Sequence, residues 1–282
     1  MKIFVYQIYY NDETKKNLLP GFIPLDNTEN LRPDWFEFWV MLNFLRNNVL
    51  EDDAWYGFLS PKFYEKTGFT SDLVFNTIER YAPIGNVALF SPGWDQLSYF
   101  LNPFEQGEVW HPGLIDKTQN FVNNYGLDIN INKLVSTVFT SVFSNYIIAK
   151  KEFWINWMKL SEQFFDYVEN NPEYQGTTSY GNIQNPYPMK TFIQERLATL
   201  VLSTTAFRVI SLDHSLTAPI NAGLFRDDGE TRRLLQVCDL MKSNYIKTND
   251  EKYLEMYWKI RGDIPYINYN PFFQTENKST VC

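Results

Sequence analysis

The hydrophobic pattern of the first hundred residues alternates between short apolar runs and longer segments with helical periodicity. The short runs are rich in β-branched and aromatic residues, which favours strands. Strands that alternate with helices in this way usually form parallel sheets, because each helix crosses over one face of the sheet. The pattern predicts strands at 3–10, 54–61 and 86–92 and helices at 35–48 and 70–81.

The remainder of the chain continues this pattern with a larger share of helix. Polar, turn-rich stretches predict loops at 11–33, 102–113 and 172–188, and no repeat or shift in composition marks a domain boundary. We expect an α/β fold with a Rossmann-like, mostly parallel sheet flanked by helices and a helix-rich C-terminal part. It would form a single domain at 1–265, followed by an irregular tail at 266–282. The other predicted elements are strands at 144–151 and 207–213 and helices at 152–171, 189–204, 230–247 and 250–261.

Two of the predicted strands end in the same dipeptide, Ser-Pro, with polar residues just beyond. Proline cannot continue a strand ladder, so Ser60 and Ser91 mark the carboxyl ends of these strands. Ligands of open α/β sheets bind in the crevice beyond such ends. If the two strands lie side by side, then Ser60, Lys62, Ser91 and Asp95 face one cleft. The alternative, that Ser-Pro only terminates each strand, stays open at this point.

Composition limits which partner molecules and which cellular location are expected. The 282 residues carry a formal charge of −8 without a long run of Lys or Arg, so nucleic acid is not an expected partner. Cys238 and Cys282 are far apart, which indicates a reducing compartment. No apolar stretch approaches the ~18 residues of a membrane span, and the N-terminal segment lacks the features of a signal peptide. We expect a cytoplasmic location, with peripheral attachment to a membrane as an open alternative.

One polar segment, "NPFEQGEVWHPG" at 102–113, is interleaved with aromatic residues. Sugar hydroxyls need directed hydrogen bonds and sugar C–H faces stack on rings, so this mixture suits a sugar pocket. Glu105 or Glu108 is a candidate general base if burial raises its pKa, and His111 is a candidate without such a shift. Gln106 adds hydrogen-bonding groups. A polar surface loop with an aromatic anchor is the structural alternative.

Carboxylates are also candidate ligands for a divalent cation. Glu51, Asp52 and Asp53 are adjacent, but they precede a predicted strand and so belong at the sheet edge opposite the ligand-binding one. Asp95 follows a strand and is the better-placed metal ligand or base, although it stands alone. Mn or Mg is therefore a cofactor that the sequence allows. The chain contains no GxGxxG, P-loop, HExxH or GxSxG motif, which argues against dinucleotide oxidoreductases, P-loop enzymes, zinc proteases and α/β-hydrolases.

Four segments, taken in order, resemble the glycosyltransferase A-type fold. They are most similar to bacterial surface-polysaccharide glycosyltransferases of the DUF4422 kind and their uncharacterised relatives. The segments are "EFWVMLNFLRNN", "AWYGFLSPKF", "SNYIIAKKEFWINWMKLSEQFF" and "FIQERLATLVLS", and the resemblance covers roughly residues 1–215. Where those enzymes have a His-Tyr-Arg-Arg run, this chain has Ser60-Pro61-Lys62-Phe63.

The resemblance implies transfer of a sugar from a nucleotide-sugar donor to a glycan or lipid-linked acceptor. It places Asn145, Glu195 and Arg196 near the sugar site. It also places Lys62 near the donor diphosphate, where a cation stabilises negative charge without a metal.

We therefore expect a glycosyltransferase in which a carboxylate deprotonates the attacking hydroxyl. Tyr6, Ser60 and Ser91 would lie beside the nucleotide donor, whereas Asp95, Glu105 and His111 would act in catalysis. Two alternatives remain. One is a non-catalytic glycan-binding or scaffold protein that retains the fold, and the other is a glycoside hydrolase that uses Glu105 and Glu108 as its two carboxylates.

Overall fold

The computed structural model describes residues 1–178, 187–212 and 214–266. The chain divides into two compact units: unit 1 comprises residues 1–92, 139–170 and 194–212, and unit 2 comprises residues 93–138, 171–193 and 213–282. The expectation of a single domain at 1–265 stays a prediction. Three parts of the sequence predictions lie outside the described residues: Cys282, all of the predicted tail except Tyr266, and part of the predicted loop at 172–188.

The elements follow the predicted alternation through the first ninety residues and become mostly helical afterwards. The strands are β1 Lys2–Tyr9, β2 Ile23–Asp26, β3 Ala54–Leu59, β4 Val87–Leu89, β5 Ile147–Lys150, β6 Thr177–Thr178, β7 Tyr187–Pro188 and β8 Val209–Ser211. The helices are α1 Asp12–Lys16, α2 Phe36–Asn47, α3 Phe63–Thr67, α4 Ser71–Tyr81, α5 Trp94–Tyr99, α6 Pro103–Trp110, α7 Leu114–Tyr125, α8 Lys151–Glu169, α9 Met189–Gln194, α10 Leu197–Thr204, α11 Gly229–Thr248 and α12 Glu251–Asp263. Short 3₁₀ helices lie at Pro33–Trp35 and Pro172–Tyr174.

Unit 1 contains a mixed sheet, which the described residues form from six strands in the order β2-β1-β3-β5-β4-β8. Five of these strands run in the same direction, and β5 is antiparallel to both of its neighbours, β3 and β4. The remaining strands, β6 and β7, pair with each other in unit 2. The prediction of an α/β fold with a Rossmann-like, mostly parallel sheet flanked by helices and a helix-rich C-terminal part is confirmed.

The two strands that end in Ser-Pro are not neighbours, which corrects the expectation that they lie side by side. β5 lies between them and pairs antiparallel with both, so β3 and β4 still run in the same direction. Their carboxyl ends therefore reach the same edge of the sheet, and the amino end of β5 lies there too. We call this edge, with Ser60, Ser91, Asn145 and Tyr146, the carboxyl edge.

Aromatic packing holds the helices of unit 1 on the sheet. α2 is apolar around most of its circumference and buries five side chains, as a helix between layers does. The ring centroid of Phe38 in α2 lies 5.5 Å from that of Trp157 in α8. α8 is tied to β3 because the Trp154 indole N–H donates to the Tyr56 carbonyl at 2.9 Å. The polar end of a buried indole thus finds its partner in a strand backbone.

Three local differences from the prediction are informative. The helix predicted at 189–204 is broken, because α9 ends at Gln194 and α10 begins at Leu197. The predicted loop at 11–33 contains α1 and β2, and the predicted loop at 102–113 contains α6. These elements are too short to show a clear hydrophobic period. In α6, the Asn102 side chain caps the helix by accepting hydrogen bonds from the Phe104 and Glu105 backbone N–H groups.

Unit 2 has a separate apolar core, which α5, α11 and α12 supply with residues such as Trp94, Leu235 and Tyr257. A buried lysine serves this core as a helix cap. The Lys242 ammonium donates to the carbonyls of Leu97 and Phe100 at 2.6 and 2.7 Å, at the end of α5. Burial lowers the pKa of Lys242 to about 8.

The close approach of β3 to β5 predicts a strict requirement for glycine at position 57. A Cβ on Gly57 would lie 2.5 Å from Cγ1 of Ile148 and 3.2 Å from the Ile147 carbonyl oxygen. We expect Gly57→Ala to lower the free energy of unfolding by about 1–3 kcal/mol, because the buried sheet is overpacked there. Urea denaturation measures the loss.

A double-mutant cycle with Ile148→Ala separates this clash from other effects of the alanine. Removing the Ile148 side chain makes room for the new Cβ, so Gly57→Ala should cost less in the Ile148→Ala background. Equal losses in both backgrounds would contradict the packing argument.

Candidate functional site at the carboxyl edge

Tyr146 ties the ends of three strands together at the carboxyl edge. Its hydroxyl lies 2.8 Å from the Ser60 Oγ, just beyond β3. Its carbonyl accepts a hydrogen bond of 2.9 Å from the Phe90 N–H, just beyond β4. The Gln7 side-chain amide of β1 donates to the Ser60 carbonyl at 3.3 Å. The edge is therefore a hydrogen-bonded frame, and Ser60, which the sequence singled out, is part of it.

Asn145 has a left-handed backbone conformation at this edge. Its φ is +53°, a value that asparagine adopts more readily than other non-glycine residues. Its side chain is buried, and its Oδ1 accepts no hydrogen bond from the described residues. An unpaired buried polar atom of this kind is unusual in a folded protein. Asn145 thus offers a buried acceptor to a ligand at the carboxyl edge.

Two adjacent charged residues of unit 1, Glu195 and Arg196, lie at the break between α9 and α10. The preceding residue anchors the break, because the Gln194 amide donates to the Trp35 carbonyl at 3.3 Å. Arg196 is buried, and its Nη1 lies 3.9 Å from Oε2 of Glu195. Glu195 keeps 32 % of its side-chain exposure, so its carboxylate remains reachable.

The carboxyl group of Glu195 has a strongly shifted protonation equilibrium. Loss of hydration raises the pKa of Glu195 to about 7, against the opposing influence of the cations Arg196 and Lys66. Glu37 adds a like charge that raises the pKa further. Although 32 % of the side chain stays exposed, loss of hydration is the largest cause of the raised pKa. A carboxyl group that titrates near neutral pH suits a general base.

Lys66 and Glu37 place further charges around Tyr146. Lys66 belongs to α3, which follows the Ser60-Pro61 turn, and its ammonium lies 6.0 Å from the centroid of the Tyr146 ring. Glu37 and Glu195 both act electrostatically on the Tyr146 hydroxyl, whose pKa is raised chiefly by burial. We call Glu37, Lys66, Tyr146, Glu195 and Arg196 the edge cluster. All five residues belong to unit 1.

A second backbone outlier positions the carboxylate of Glu37. Phe36, at the start of α2, has a φ of +49°, which is costly for a bulky aromatic residue. This sharp entry lets α2 begin directly after the 3₁₀ helix and sets Glu37 in its first turn. The strain at Phe36 thus lies next to Glu37 of the edge cluster, as expected where backbone geometry serves a site.

Three other residues predicted to bind the nucleotide-sugar donor also lie in unit 1: Ser91, Lys62 and Tyr6. Ser91 is buried, and its hydroxyl donates to the Ser141 carbonyl at 3.3 Å, so it fixes the chain that leads to β5. Lys62 is exposed before α3. Tyr6 lies within β1, and its ring centroid is 4.7 Å from that of Phe44 in α2. Their binding roles stay predictions, and for Tyr6 the visible role is packing.

The predicted catalytic residues lie in unit 2, where Asp95 and Glu105 are engaged in structural contacts. Asp95 is buried in the first turn of α5 and accepts a hydrogen bond of 2.7 Å from the Asn221 N–H. Burial raises its pKa. Glu105 forms an ion pair with Arg261 at 2.8 Å and also accepts from the Leu101 N–H at 2.6 Å. These contacts join α6 to α12.

His111, Glu108 and Gln106 also have structural partners in unit 2. His111 is buried with its ring centroid 3.4 Å from that of Phe192. Glu108 caps α7 by accepting hydrogen bonds from the Gly113 and Ile115 N–H groups at 2.7 and 2.8 Å. The Gln106 amide donates to Gln96 Oε1 at 2.9 Å. The catalytic roles of Asp95, Glu105 and His111 stay predictions, and the observed geometry gives them anchoring roles.

The residues around Asp95 do not fit the expected divalent cation. Oxygen-ligated cations are held by several carboxylates or carbonyls, and no group of three or more His, Cys, Asp or Glu side chains that could hold a metal ion occurs among the described residues. One oxygen of Asp95 is already occupied by the Asn221 N–H. The reaction proposed below therefore assigns no role to Mn or Mg, and the metal requirement stays a sequence prediction.

Sequence reasoning missed Glu37, Lys66 and Tyr146 as site residues. Glu37 lies in a segment that suggested a helix start and Lys66 in one that suggested a loop. Nothing in either local pattern shows that both charges act on Glu195. The signal for Tyr146 was its place one residue after Asn145, at the start of a strand.

Comparisons with known proteins leave the proposed resemblance untested. No family model, curated protein or solved structure matches this chain. Within the part of the chain that the structure describes, no helix combines the length and apolar character that a membrane crossing requires. The functional argument therefore depends on the edge cluster itself.

The raised pKa of Glu195 predicts how stability depends on pH. Between about pH 4.5 and 7 the folded chain holds a proton that the unfolded chain has lost, so this group's contribution to stability falls as pH rises. The contribution is fully present below the unfolded pKa and is lost above pH 7. We expect Glu195→Gln, which cannot ionise, to be stabilised relative to the wild type at pH 8 but not at pH 4.

Urea midpoints measured for both proteins across this pH range test the prediction. Glu173→Gln, which changes an exposed carboxylate in a 3₁₀ helix of unit 2, is the matched control and should follow the wild-type curve. A constant difference between Glu195→Gln and wild type at every pH would contradict the assignment.

Proposed function

We propose that the protein is a nucleotide-sugar-dependent glycosyltransferase whose reaction takes place at the carboxyl edge. The observation that carries the proposal is the setting of Glu195, a carboxyl group with a pKa of about 7 that lies 3.9 Å from the Arg196 guanidinium and also feels the charge of Lys66. This arrangement combines a base for a hydroxyl with positive charge for a diphosphate. Ligand binding beyond the carboxyl ends of parallel strands is the general behaviour of open α/β sheets.

In the proposed reaction, the acceptor hydroxyl attacks the anomeric carbon of the donor sugar. Its proton passes to the Glu195 carboxylate as the new glycosidic C–O bond forms. The bond between the anomeric carbon and the diphosphate oxygen breaks, and the nucleoside diphosphate leaves with the electron pair. Lys66 and Arg196 stabilise the charge that develops on this leaving group. A single displacement of this kind inverts the configuration at the anomeric carbon.

The unused acceptor on Asn145 gives the donor sugar a hydrogen-bonding partner. Its Oδ1 is buried at the carboxyl edge and accepts nothing from the described residues, so a sugar hydroxyl can donate to it. The expected acceptor is a surface glycan or a lipid-linked sugar, as the sequence resemblance implies. Both carry the free hydroxyl that the Glu195 base requires.

Binding of nucleotide sugars is the first test. We expect UDP-, GDP- or dTDP-sugars to give a measurable heat of binding by titration calorimetry, and Lys66→Gln to weaken that affinity about 10-fold because a charge-assisted contact is lost. Lys16→Gln, an exposed lysine of α1 in the same unit, is the control and should bind like the wild type. Absence of heat with every nucleotide sugar would refute the proposal.

Turnover is the second test. We expect Glu195→Gln to slow sugar transfer at least about 100-fold while donor affinity stays within a few-fold of wild type, because only proton transfer is lost. The wild-type kcat/KM should rise with pH through an inflection near 7, since the base acts when ionised. Glycan binding with neither nucleotide binding nor transfer would instead select the non-catalytic glycan-binding alternative.

A further inference from the structure

Unit 1 contains a pocket of about 400 Å³ between the segment after β2 and one face of α2. The volume falls within the range of small-molecule sites. Trp39, Asn43 and Asn47 line it from α2, and Asn27 lines it from the segment after β2. The three α2 residues are spaced by four, so they form one stripe along the helix. These residues take no part in the edge cluster.

The amide side chains of the pocket retain unused hydrogen-bonding groups. The Asn27 amide forms no hydrogen bond with the described residues, whose contacts to Asn27 involve only its backbone. The Asn47 amide donates to Asn43 Oδ1 at 3.0 Å, which leaves the Asn43 N–H groups and the Asn47 oxygen for a ligand. The Asn48 amide donates to the Phe44 carbonyl at 2.9 Å, and its oxygen is likewise available. The pocket therefore offers both hydrogen-bond donors and acceptors.

The carboxylates of the pocket lining disfavour anionic ligands. Its lining includes Asp26 and Glu29, and none of the described residues that line it is Lys, Arg or His. Hydrogen bonds from the Tyr9 hydroxyl, at 2.6 Å, and from the Thr28 N–H, at 2.8 Å, lower the pKa of Asp26 and keep it ionised. A phosphate or carboxylate placed here would be repelled. Hydroxyl groups, by contrast, can donate to these carboxylates.

An aromatic ring supplies the apolar part of the surface. Trp39 is half-buried, and its ring centroid lies 5.6 Å from that of Phe165 in α8. The guanidinium groups of Arg46 and Arg32 lie 5.6 and 5.8 Å from the centroid of the Trp39 ring, and Arg46 also pairs with Glu162 at 3.2 Å. An indole beside amide groups presents a flat apolar surface next to polar positions.

From these features we infer that the pocket between α2 and the segment after β2 binds a neutral saccharide. Hydroxyl groups occupy the amide and carboxylate positions, and the C–H face of a sugar ring lies on Trp39. The inference does not rest on the proposed function, because the pocket binds an uncharged sugar whether or not the edge cluster transfers one.

Titration with lactose, maltose and chitobiose, followed by NMR of the asparagine side-chain amides, tests this inference. We expect at least one of these sugars at millimolar concentration to shift the amide signals of Asn27, Asn43 and Asn47 saturably. Asn43→Ala and Asn27→Ala should each weaken the affinity about 10-fold, the equivalent of one or two lost hydrogen bonds. Asn76→Ala, an exposed helical asparagine of α4 in the same unit, should leave it unchanged.

A variant of the proposed catalytic base and a titration with an anionic ligand complete the test. Glu195→Gln should bind the sugar like the wild type, so a failure of the proposed transfer reaction leaves this inference standing. The absence of any shift with all three sugars would overturn it. Saturable shifts of the pocket amides by uridine monophosphate would overturn the inference too. An anion would then bind beside Asp26 and Glu29, whose negative charges should repel it.

Discussion

The antiparallel strand β5 is the constraint on which the carboxyl edge depends. Because β5 enters the sheet from the edge where β3 and β4 end, Tyr146 can contact the ends of both. Its hydroxyl meets Ser60, its carbonyl receives the Phe90 N–H, and its ring lies 5.1 Å from that of Phe63. A parallel strand in that place would bring its own carboxyl end to the edge and leave no such residue between the two Ser-Pro turns.

The chemistry of the edge follows from the dehydration of its charged groups. Where the helix breaks between α9 and α10, Arg196 is buried and Glu195 is only partly exposed. The cost of dehydration moves the Glu195 proton equilibrium to neutral pH, whereas Arg196 and Lys66 hold the shift in check. The positive φ of Phe36 shows that the backbone beside Glu37 is held in a costly conformation.

Most of the fold could be predicted from the sequence, and most of the candidate site could not. The apolar runs at β1, β3 and β5 show strands clearly, but a periodic pattern carries no information on direction, so the antiparallel course of β5 had no signal. Residues 189–204 are helical in pattern, and at their break the Gln194 amide donates to the Trp35 carbonyl, a tertiary contact that the pattern does not show. Asp95 and Glu105 are the right types for catalysis, but partners distant in sequence, Asn221 and Arg261, occupy their oxygens.

The central claim is that the Glu195 carboxylate lies beside the bound diphosphate of a nucleotide sugar. The most direct test is a carbon-13 NMR titration of the Glu195 carboxyl group with and without a saturating nucleoside diphosphate. The account predicts a pKa near 7 in the free protein and a further rise when the anion binds, because a like charge disfavours ionisation. A carboxyl that titrates at the ordinary value for glutamate, and that does not respond to any nucleoside diphosphate, would contradict it.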